Sequence, residues 1–253
     1  MRKQFLLLLL PLLAGCATAP KNTLTQISTI DALLAGAYDG QMTTGNLLNY
    51  GSLGIGTFDG LEGEMIVIDR QVYQARADGS VCLMPTNTTT PFASVVNFKA
   101  DSICHYDGAL DEKMFQDFAD GLAPNSNLFV AVRFDGHFPL MKVRSVPKQE
   151  KPYPPLAEVV QHQTVAEYAS VNGTVLGFRC PSFVKGVNVP GWHLHFISDD
   201  RTKGGHILSF TTTGGELKLD SCNRFYMALP DQEQFGTLDL SKDRSEELQK
   251  VEK

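Results

Sequence analysis

Residues 191–210 read GWHLHFISDDRTKGGHILSF, and this stretch predicts a β-hairpin. Trp192 to Ser198 alternates apolar and polar side chains as a strand does. A polar, glycine-ended connection at 199–205 then leads into a second strand that opens at His206. Together with short strands predicted at 174–178 and 216–219, the hairpin makes the second half of the chain sheet-rich.

Three of the six histidines lie in this hairpin, at His193, His195 and His206. His193 and His195 are two residues apart, so a strand points both side chains to one face, and the hairpin folds His206 back beside them. No cysteine lies nearby, which favours an open site with three ligands over a closed structural one. Zn²⁺ suits such a site, although nickel, iron and copper also accept imidazole. The alternative is a polar strand face on which His206 is incidental.

Strand and helix patterns also fill the rest of the chain. Glycine-punctuated short strands are predicted over 51–82, and an apolar period of four predicts a helix from Leu110 to Leu122. Strands at 128–134 and 138–146 are expected to form a second hairpin, joined by a turn at Asp135-Gly136.

Four prolines between residues 147 and 155 cannot continue a helix or a central strand. They predict a crossing between two halves of the chain. The fold class is therefore α/β, α+β-like and sheet-rich, with an N-terminal α/β domain over 27–148 and a C-terminal β-rich, metal-binding domain over 149–253.

The N-terminus resembles a bacterial lipoprotein signal. Two basic residues precede a short apolar run, which ends at Leu13-Ala14-Gly15-Cys16 like a lipobox. We expect cleavage of residues 1–15, lipidation of Cys16 and a polar tether over 16–26. The mature protein would then be exported and attached to a membrane surface through its lipid anchor, on the periplasmic or outer-membrane side. An ordinary export signal with a chance cysteine is the alternative.

Charge and cysteine content narrow the functional classes. The formal net charge is −6, and no basic run is interleaved with aromatic residues, so nucleic acid is an unexpected partner. Four cysteines follow Cys16, at Cys82, Cys104, Cys180 and Cys222. An oxidising compartment permits two disulfides with three connectivities, and four free thiols are the alternative.

An ordered set of motifs spans nearly all of the mature chain. It comprises NYGSLGIGTF at 49–58, LEGEM at 61–65, TPFA at 90–93, VRSVP at 143–147 and GWHLHF at 191–196, with Gly205-His206 after the loop. Together these motifs resemble the α-acetolactate decarboxylase family. The resemblance implies two sheet-containing domains, a metal site in the cleft between them, a homodimer and conversion of 2-acetolactate to acetoin and CO2.

The resemblance also implies the site residues. The Zn²⁺ ligands match His193, His195 and His206, and the catalytic residues match Glu64, Arg144 and Glu252. Decarboxylation would proceed through a metal-chelated enediolate that a glutamate protonates.

Some assignments stay open at this stage. Glu62 and Glu64 would share one strand face, and Glu62 and Thr57 are weaker substrate-binding candidates. An exported zinc-binding lipoprotein without catalysis is the alternative function.

Overall fold

The computed structural model describes residues 22–231 and 233–252, and it is dominated by β-sheet. The strands run in the order β1 (Thr23–Ile27), β2 (Met42–Thr43), β3 (Leu53–Thr57), β4 (Glu64–Ile68), β5 (Gln71–Ala75), β6 (Val81–Leu83), β7 (Thr89–Thr90), β8 (Ala93–Val96), β9 (Ser102–Asp111), β10 (Phe129–Ser145), β11 (Thr164–Cys180), β12 (Gly191–Ser198), β13 (Gly204–Cys222) and β14 (Arg224–Ala228). The helices are α1 (Ile30–Leu34), α2 (Thr44–Leu47), α3 (Glu112–Leu122), α4 (Leu156–Val159), α5 (Glu233–Gly236) and α6 (Ser245–Val251). The sheet-rich α/β prediction is confirmed.

The first sheet has seven strands in the order β14-β1-β8-β3-β4-β5-β6. Its central strands are buried, because one face packs on helices and loops and the other packs on the second sheet. Asp69 and Arg70 connect β4 to β5, and both have positive φ, as a tight hairpin turn requires. This short connection places the start of β4, and hence Glu64, beside the end of β5.

The second sheet closes on itself. Its order is β10-β11-β12-β13-β9, and β10 also pairs with β13, so β10 to β13 surround a common interior. Phenylalanines fill that interior, and Phe115 of α3 packs edge-on against Phe134 and Phe210. The outer face of the same strands contributes Leu176, Phe178 and Ile197 to a core shared with the first sheet.

Strand β10 differs from the sequence prediction. Residues 129–145 form one continuous strand, whereas a turn was expected at Asp135-Gly136. The reason is that both residues pair on both sides, Asp135 with Thr174 and Glu216, and Gly136 with Gly173 and Gly215. A side chain at Gly136 would lie 2.6 Å from the Gly214 carbonyl oxygen. Close packing, rather than a change of direction, is what requires this glycine.

The expected division between residues 148 and 149 does not separate the two sheets. Strands β9 and β10 come from the first half of the chain but belong to the second sheet. Strand β14 comes from the second half but pairs in parallel with β1 at the edge of the first. The sheets therefore exchange segments, because each includes strands from the other half of the chain.

The N-terminal predictions fall largely outside the described chain. The signal at 1–15, Cys16 and the first part of the expected tether lie beyond it. The last part of that tether is not a linker, since β1 begins at Thr23, is buried and pairs with both β8 and β14. No helix in the described residues is long and apolar enough to cross a membrane.

Candidate active site

The three histidines of the hairpin converge, as the sequence predicts. Along β12, Leu194 and Phe196 point into the closed sheet, while His193 and His195 point toward the first sheet. His195 pairs directly with His206 of β13. The three ring centroids lie 4.9–5.5 Å apart, and one nitrogen from each ring lies within 4.8 Å of the others.

These imidazoles are neutral bases at physiological pH. Burial lowers the pKa of His193 to about 3, and the nearby Arg144 guanidinium adds to the shift. Burial likewise holds the pKa values of His195 and His206 well below their usual range. Because a neutral imidazole keeps one nitrogen lone pair, the cluster has the electronic form that a metal ion binds.

A backbone carbonyl orients the most buried ring. Nδ1 of His195 lies 2.9 Å from the Met65 carbonyl oxygen of β4, so Nδ1 carries the proton and donates it. Nε2 is then an acceptor, and it is buried without a hydrogen-bond partner. A buried, unpartnered lone pair is costly unless a ligand fills it, so this nitrogen fits a metal ion.

The remaining geometry also fits a metal ion. Nε2 of His193 and Nδ1 of His206 lie 3.1 Å apart. Two nitrogens bound to one tetrahedral Zn²⁺ lie roughly 3.3 Å apart, given bonds of about 2.0–2.1 Å. His193, His195 and His206 could therefore hold one metal ion, with a coordination position left for another ligand.

Two carboxylates and an arginine face the histidines. Glu64 opens β4, and its carboxylate lies 3.6 Å from Nε2 of His195 and 3.9 Å from the Arg144 guanidinium. Arg144 pairs in register with His206, which places it beside the cluster, and its Nε is buried without a partner. Glu252 lies 3.9 Å from His206.

Both carboxyl groups titrate near neutrality. Burial raises the pKa of Glu64 to about 7, Arg144 opposes that shift and Glu252 adds to it. Burial also raises the pKa of Glu252 to about 7, again against Arg144. Carboxyl groups with such pKa values can both give and take a proton near pH 7.

Helix α6 delivers Glu252 to the site. Its last residue, Val251, is buried against Leu156 and Val160 beside α4, and Leu248 packs on the same cluster. Glu252 follows directly and caps the helix by donating its backbone N–H to the Leu248 carbonyl. Apolar packing of a short helix therefore fixes where this carboxylate lies.

A small cavity joins these groups, and the centre of a water molecule can occupy about 40 Å³ of it. Glu64, Arg144, His193, His206 and Glu252 all line it. The rest of the lining includes an apolar wall, formed by Ile30, Leu33, Leu61, Phe92, Val146, Leu156 and Val251.

The two weaker candidates have different positions. Thr57 lines the cavity, but its hydroxyl donates to the Gly63 carbonyl at 2.7 Å, which shapes the chain just before Glu64. Glu62 lies in the loop before β4, is half-buried and does not line the cavity. The expected shared face of Glu62 and Glu64 does not form, because the strand begins only at Glu64.

Two contacts that connect the two sheets at this site could not be predicted from the sequence. Ser145 follows Arg144 and donates to the Ala75 carbonyl at 2.8 Å, joining β10 to β5. The Met65 carbonyl, which orients His195, is a backbone atom and has no sequence signal. The SVP motif contained Ser145 but gave no sign of its partner.

A buried cluster of neutral imidazoles that could hold a metal ion, facing two carboxyl groups and an arginine across a small cavity, is the arrangement of a metal-dependent enzyme. Comparison with known proteins identifies the enzyme family. The family pattern for alpha-acetolactate decarboxylase matches residues 24–242, which include all the candidates above except Glu252. The chain belongs to this family.

Individual relatives agree over most of their length. The alpha-acetolactate decarboxylase of Methanosarcina mazei is 47% identical over 92% of this chain and 81% of its own. That of Bacillus subtilis is 34% identical over 89% of each chain. The crystal structure of alpha-acetolactate decarboxylase from Bacillus subtilis strain 168 superposes with a TM-score of 0.89, covering 91% of this chain and 99% of that one at 32% identity.

Proposed function

We propose that this protein decarboxylates 2-acetolactate to acetoin and CO2, with Zn²⁺ held by His193, His195 and His206. The observation that carries the proposal is the buried, unpartnered Nε2 of His195 within a neutral imidazole cluster, opposite Glu64 and Arg144. Family membership supplies the reaction, since the relatives are named for it.

The cavity suits this substrate. 2-Acetolactate carries a carboxylate, a hydroxyl and a ketone on neighbouring carbons, with two methyl groups. The Arg144 guanidinium provides a planar fork for a carboxylate or hydroxyl oxygen. The methyl groups fit against the apolar wall that includes Leu61, Phe92 and Val146.

The reaction needs a place for an electron pair. When the bond to the carboxylate breaks, CO2 leaves and the pair passes into the adjacent ketone, giving an enediolate. When bound, Zn²⁺ supplies Lewis-acid stabilisation of charge on the oxygens. Arg144 adds positive charge from the β10 side, and the apolar wall keeps water away from the reacting carbons.

A proton must then be added to one carbon. Glu64 and Glu252 stand beside different histidines, and burial leaves both carboxyl groups partly protonated near pH 7. Glu64 is the donor in our proposal, because β4 holds it rigidly opposite the most buried ring.

One assay tests this function. Purified protein incubated with 2-acetolactate should release acetoin, removal of metal by a chelator should abolish the release, and Zn²⁺ should restore it. Parallel additions of nickel, iron and copper identify the metal. His193→Ala should neither retain metal nor form acetoin. Tight Zn²⁺ binding without acetoin from the wild type would instead support a zinc-binding lipoprotein.

We also propose that the protein is an exported lipoprotein anchored through Cys16, on the strength of the lipobox-like Leu13-Ala14-Gly15-Cys16. Cells that express the full chain should incorporate labelled fatty acid into it and retain it in the membrane fraction. Cys16→Ser should lose both properties. Equal labelling of wild type and variant would exclude this anchor.

A further inference from the structure

The wall of the active-site cavity is closed almost everywhere. Of the residues that line it, all are buried except His193 and Glu252, which are partly exposed. The apolar wall leaves no opening to solvent, since even its most exposed residue, Leu33, is only 7% exposed, and Val251 is 2% exposed. Solvent therefore reaches the cavity between His193 and Glu252.

A second, larger pocket lies on the outer side of this opening. Glu252 lines both spaces, and Trp192, the neighbour of His193 on β12, lines the outer one. The outer pocket offers about 280 Å³ to the centre of a water molecule, compared with about 40 Å³ inside. Glu252 therefore lies between the two spaces and forms part of the wall of each.

The walls of the outer pocket differ from those of the inner cavity. Val189, Pro190, Trp192 and Leu248 give it an apolar lining. Lys185 lies on it with an exposed ammonium group, paired with the equally exposed Asp243 at 2.7 Å. A surface ion pair of this kind contributes little stability and exchanges partners readily, so the lysine can attract an incoming carboxylate.

We propose that this outer pocket, bounded by Ser182, Trp192 and Gln249, is the access port through which small hydroxy-keto carboxylate anions reach the metal site. The proposal rests on the proposed function for the identity of the anion, while the port itself rests on the position of the opening. The same port admits small chelators to the metal.

Bulky side chains at the rim test the port. Gln249 and Ser182 are exposed and line the outer pocket from two different elements, α6 and the 3-10 turn at Ser182–Val184. The variants Gln249→Trp and Ser182→Trp should narrow it without disturbing a core. Lys250→Trp is the matched control, because Lys250 is also exposed on α6 but does not line the pocket.

Two rates are measured on the metal-loaded protein. The first is kcat/KM for 2-acetolactate, and the second is the rate of metal release to pyridine-2,6-dicarboxylate. We expect both to fall about tenfold or more in Gln249→Trp and Ser182→Trp, because access slows. Both should keep wild-type values in Lys250→Trp. Gln249→Ala should also retain them, because it removes the amide and leaves the port open.

The outcomes separate the port from the function. If the wild type forms no acetoin, the proposed function fails, while the metal-release rates still test the port. If Gln249→Trp and Ser182→Trp release metal and turn over substrate at wild-type rates, the port is excluded and the function stands. A fall in Lys250→Trp equal to that in Gln249→Trp would also overturn the port, because crowding of α6 would then be the cause.

Discussion

At the scale of single residues, the site depends on which side-chain atoms already have hydrogen-bond partners within the protein. The Met65 carbonyl accepts a hydrogen bond from His195 Nδ1–H and thereby aims Nε2 into the cluster. Arg144 keeps its Nε free of protein partners. The Thr57 hydroxyl, by contrast, already donates a hydrogen bond to the Gly63 carbonyl. Within the site, His195 Nε2 and Arg144 Nε are therefore buried without a hydrogen-bond partner, which is why they can serve a ligand.

Replacing Glu64 separates proton transfer from metal binding. Glu64→Gln keeps the size of the side chain but cannot donate a carboxyl proton, so we expect kcat to fall roughly 10²–10⁴-fold. Metal content should be unchanged, as measured by atomic emission on the purified protein. Glu62→Gln is the control and should keep wild-type kcat, because Glu62 does not line the cavity. Full activity in Glu64→Gln would remove this residue from the mechanism.

Asp220 contributes a pH dependence of stability outside the active site. Burial raises its pKa to about 6, although its carboxylate accepts the Lys99 N–H at 2.7 Å. Since the folded pKa lies above the unfolded value of 3.8, the favourable contribution of this group is complete below about pH 4. It is lost as pH rises toward 6, by an amount on the order of 2 kcal/mol.

Asp220→Asn should remove that loss, because the amide oxygen can still accept the Lys99 N–H. Denaturant unfolding of metal-free protein at pH 4 and pH 6 measures how much the free energy of unfolding changes between these pH values. The free energy of unfolding should decline less over this interval in the variant than in the wild type. The same decline in both proteins would show that other carboxyl groups are responsible.

At the scale of elements, local patterns were predictable and long-range ones were not. The hairpin of β12 and β13 follows from strand alternation and a glycine-ended loop, both contained within twenty residues. The continuous course of β10 through Asp135-Gly136 depends on partners from β11 and β13, which no local pattern reveals. The meeting of Glu252 with His206 likewise depends on α6 packing, and only the family resemblance pointed to it.

The glycine inside β10 provides a test of that account. Gly136→Val introduces a side chain 2.6 Å from the Gly214 carbonyl and against the Phe134 ring, so we expect a loss of about 1–3 kcal/mol or more in stability. Gly121→Ala is the comparison, since Gly121 lies in α3 and the added carbon would meet no atom within 4 Å apart from its chain neighbours and the nearby helix backbone. It should gain about 0.5–1 kcal/mol from helix propensity. Denaturant midpoints of the three proteins give both values.

If Gly136→Val unfolds at the wild-type midpoint, the sheet accommodates the side chain and close packing does not explain the glycine. A variant too unstable to purify agrees with the account, and the milder Gly136→Ala then supplies the measurement.

At the scale of the whole molecule, the cysteines indicate how tightly the two sheets are joined. Cys180 and Cys222 are buried in the core between the sheets, and all four described cysteines are free. Phe129 of β10 pairs with Cys222, while its neighbour Val130 pairs with Arg179, next to Cys180. A full strand therefore separates the two cysteine Cα atoms by roughly 9–10 Å, beyond disulfide reach.

Thiol labelling should reflect this burial. Burial raises the pKa of both Cys180 and Cys222 to about 12, so neither forms a reactive thiolate while the protein is folded. The experiment uses a protein that comprises residues 22–252, labelled briefly with a thiol reagent at pH 8. Mass spectrometry should then find modification at Cys82 and Cys104 only. In denaturant all four should react. Rapid labelling of Cys180 in the native protein would mean that the sheets separate readily.

The parallel pairing of β14 with β1, together with the transfer of β9 and β10 to the second sheet, has a consequence for how this chain can change over generations. The proline-rich segment at 147–155 is a natural point at which recombination could divide the gene and exchange its two halves. Each half, however, carries strands that complete the other half's sheet. Recombination with a relative at this segment would give sheets whose neighbouring strands come from different parents, so substitutions in the two halves must remain compatible with each other.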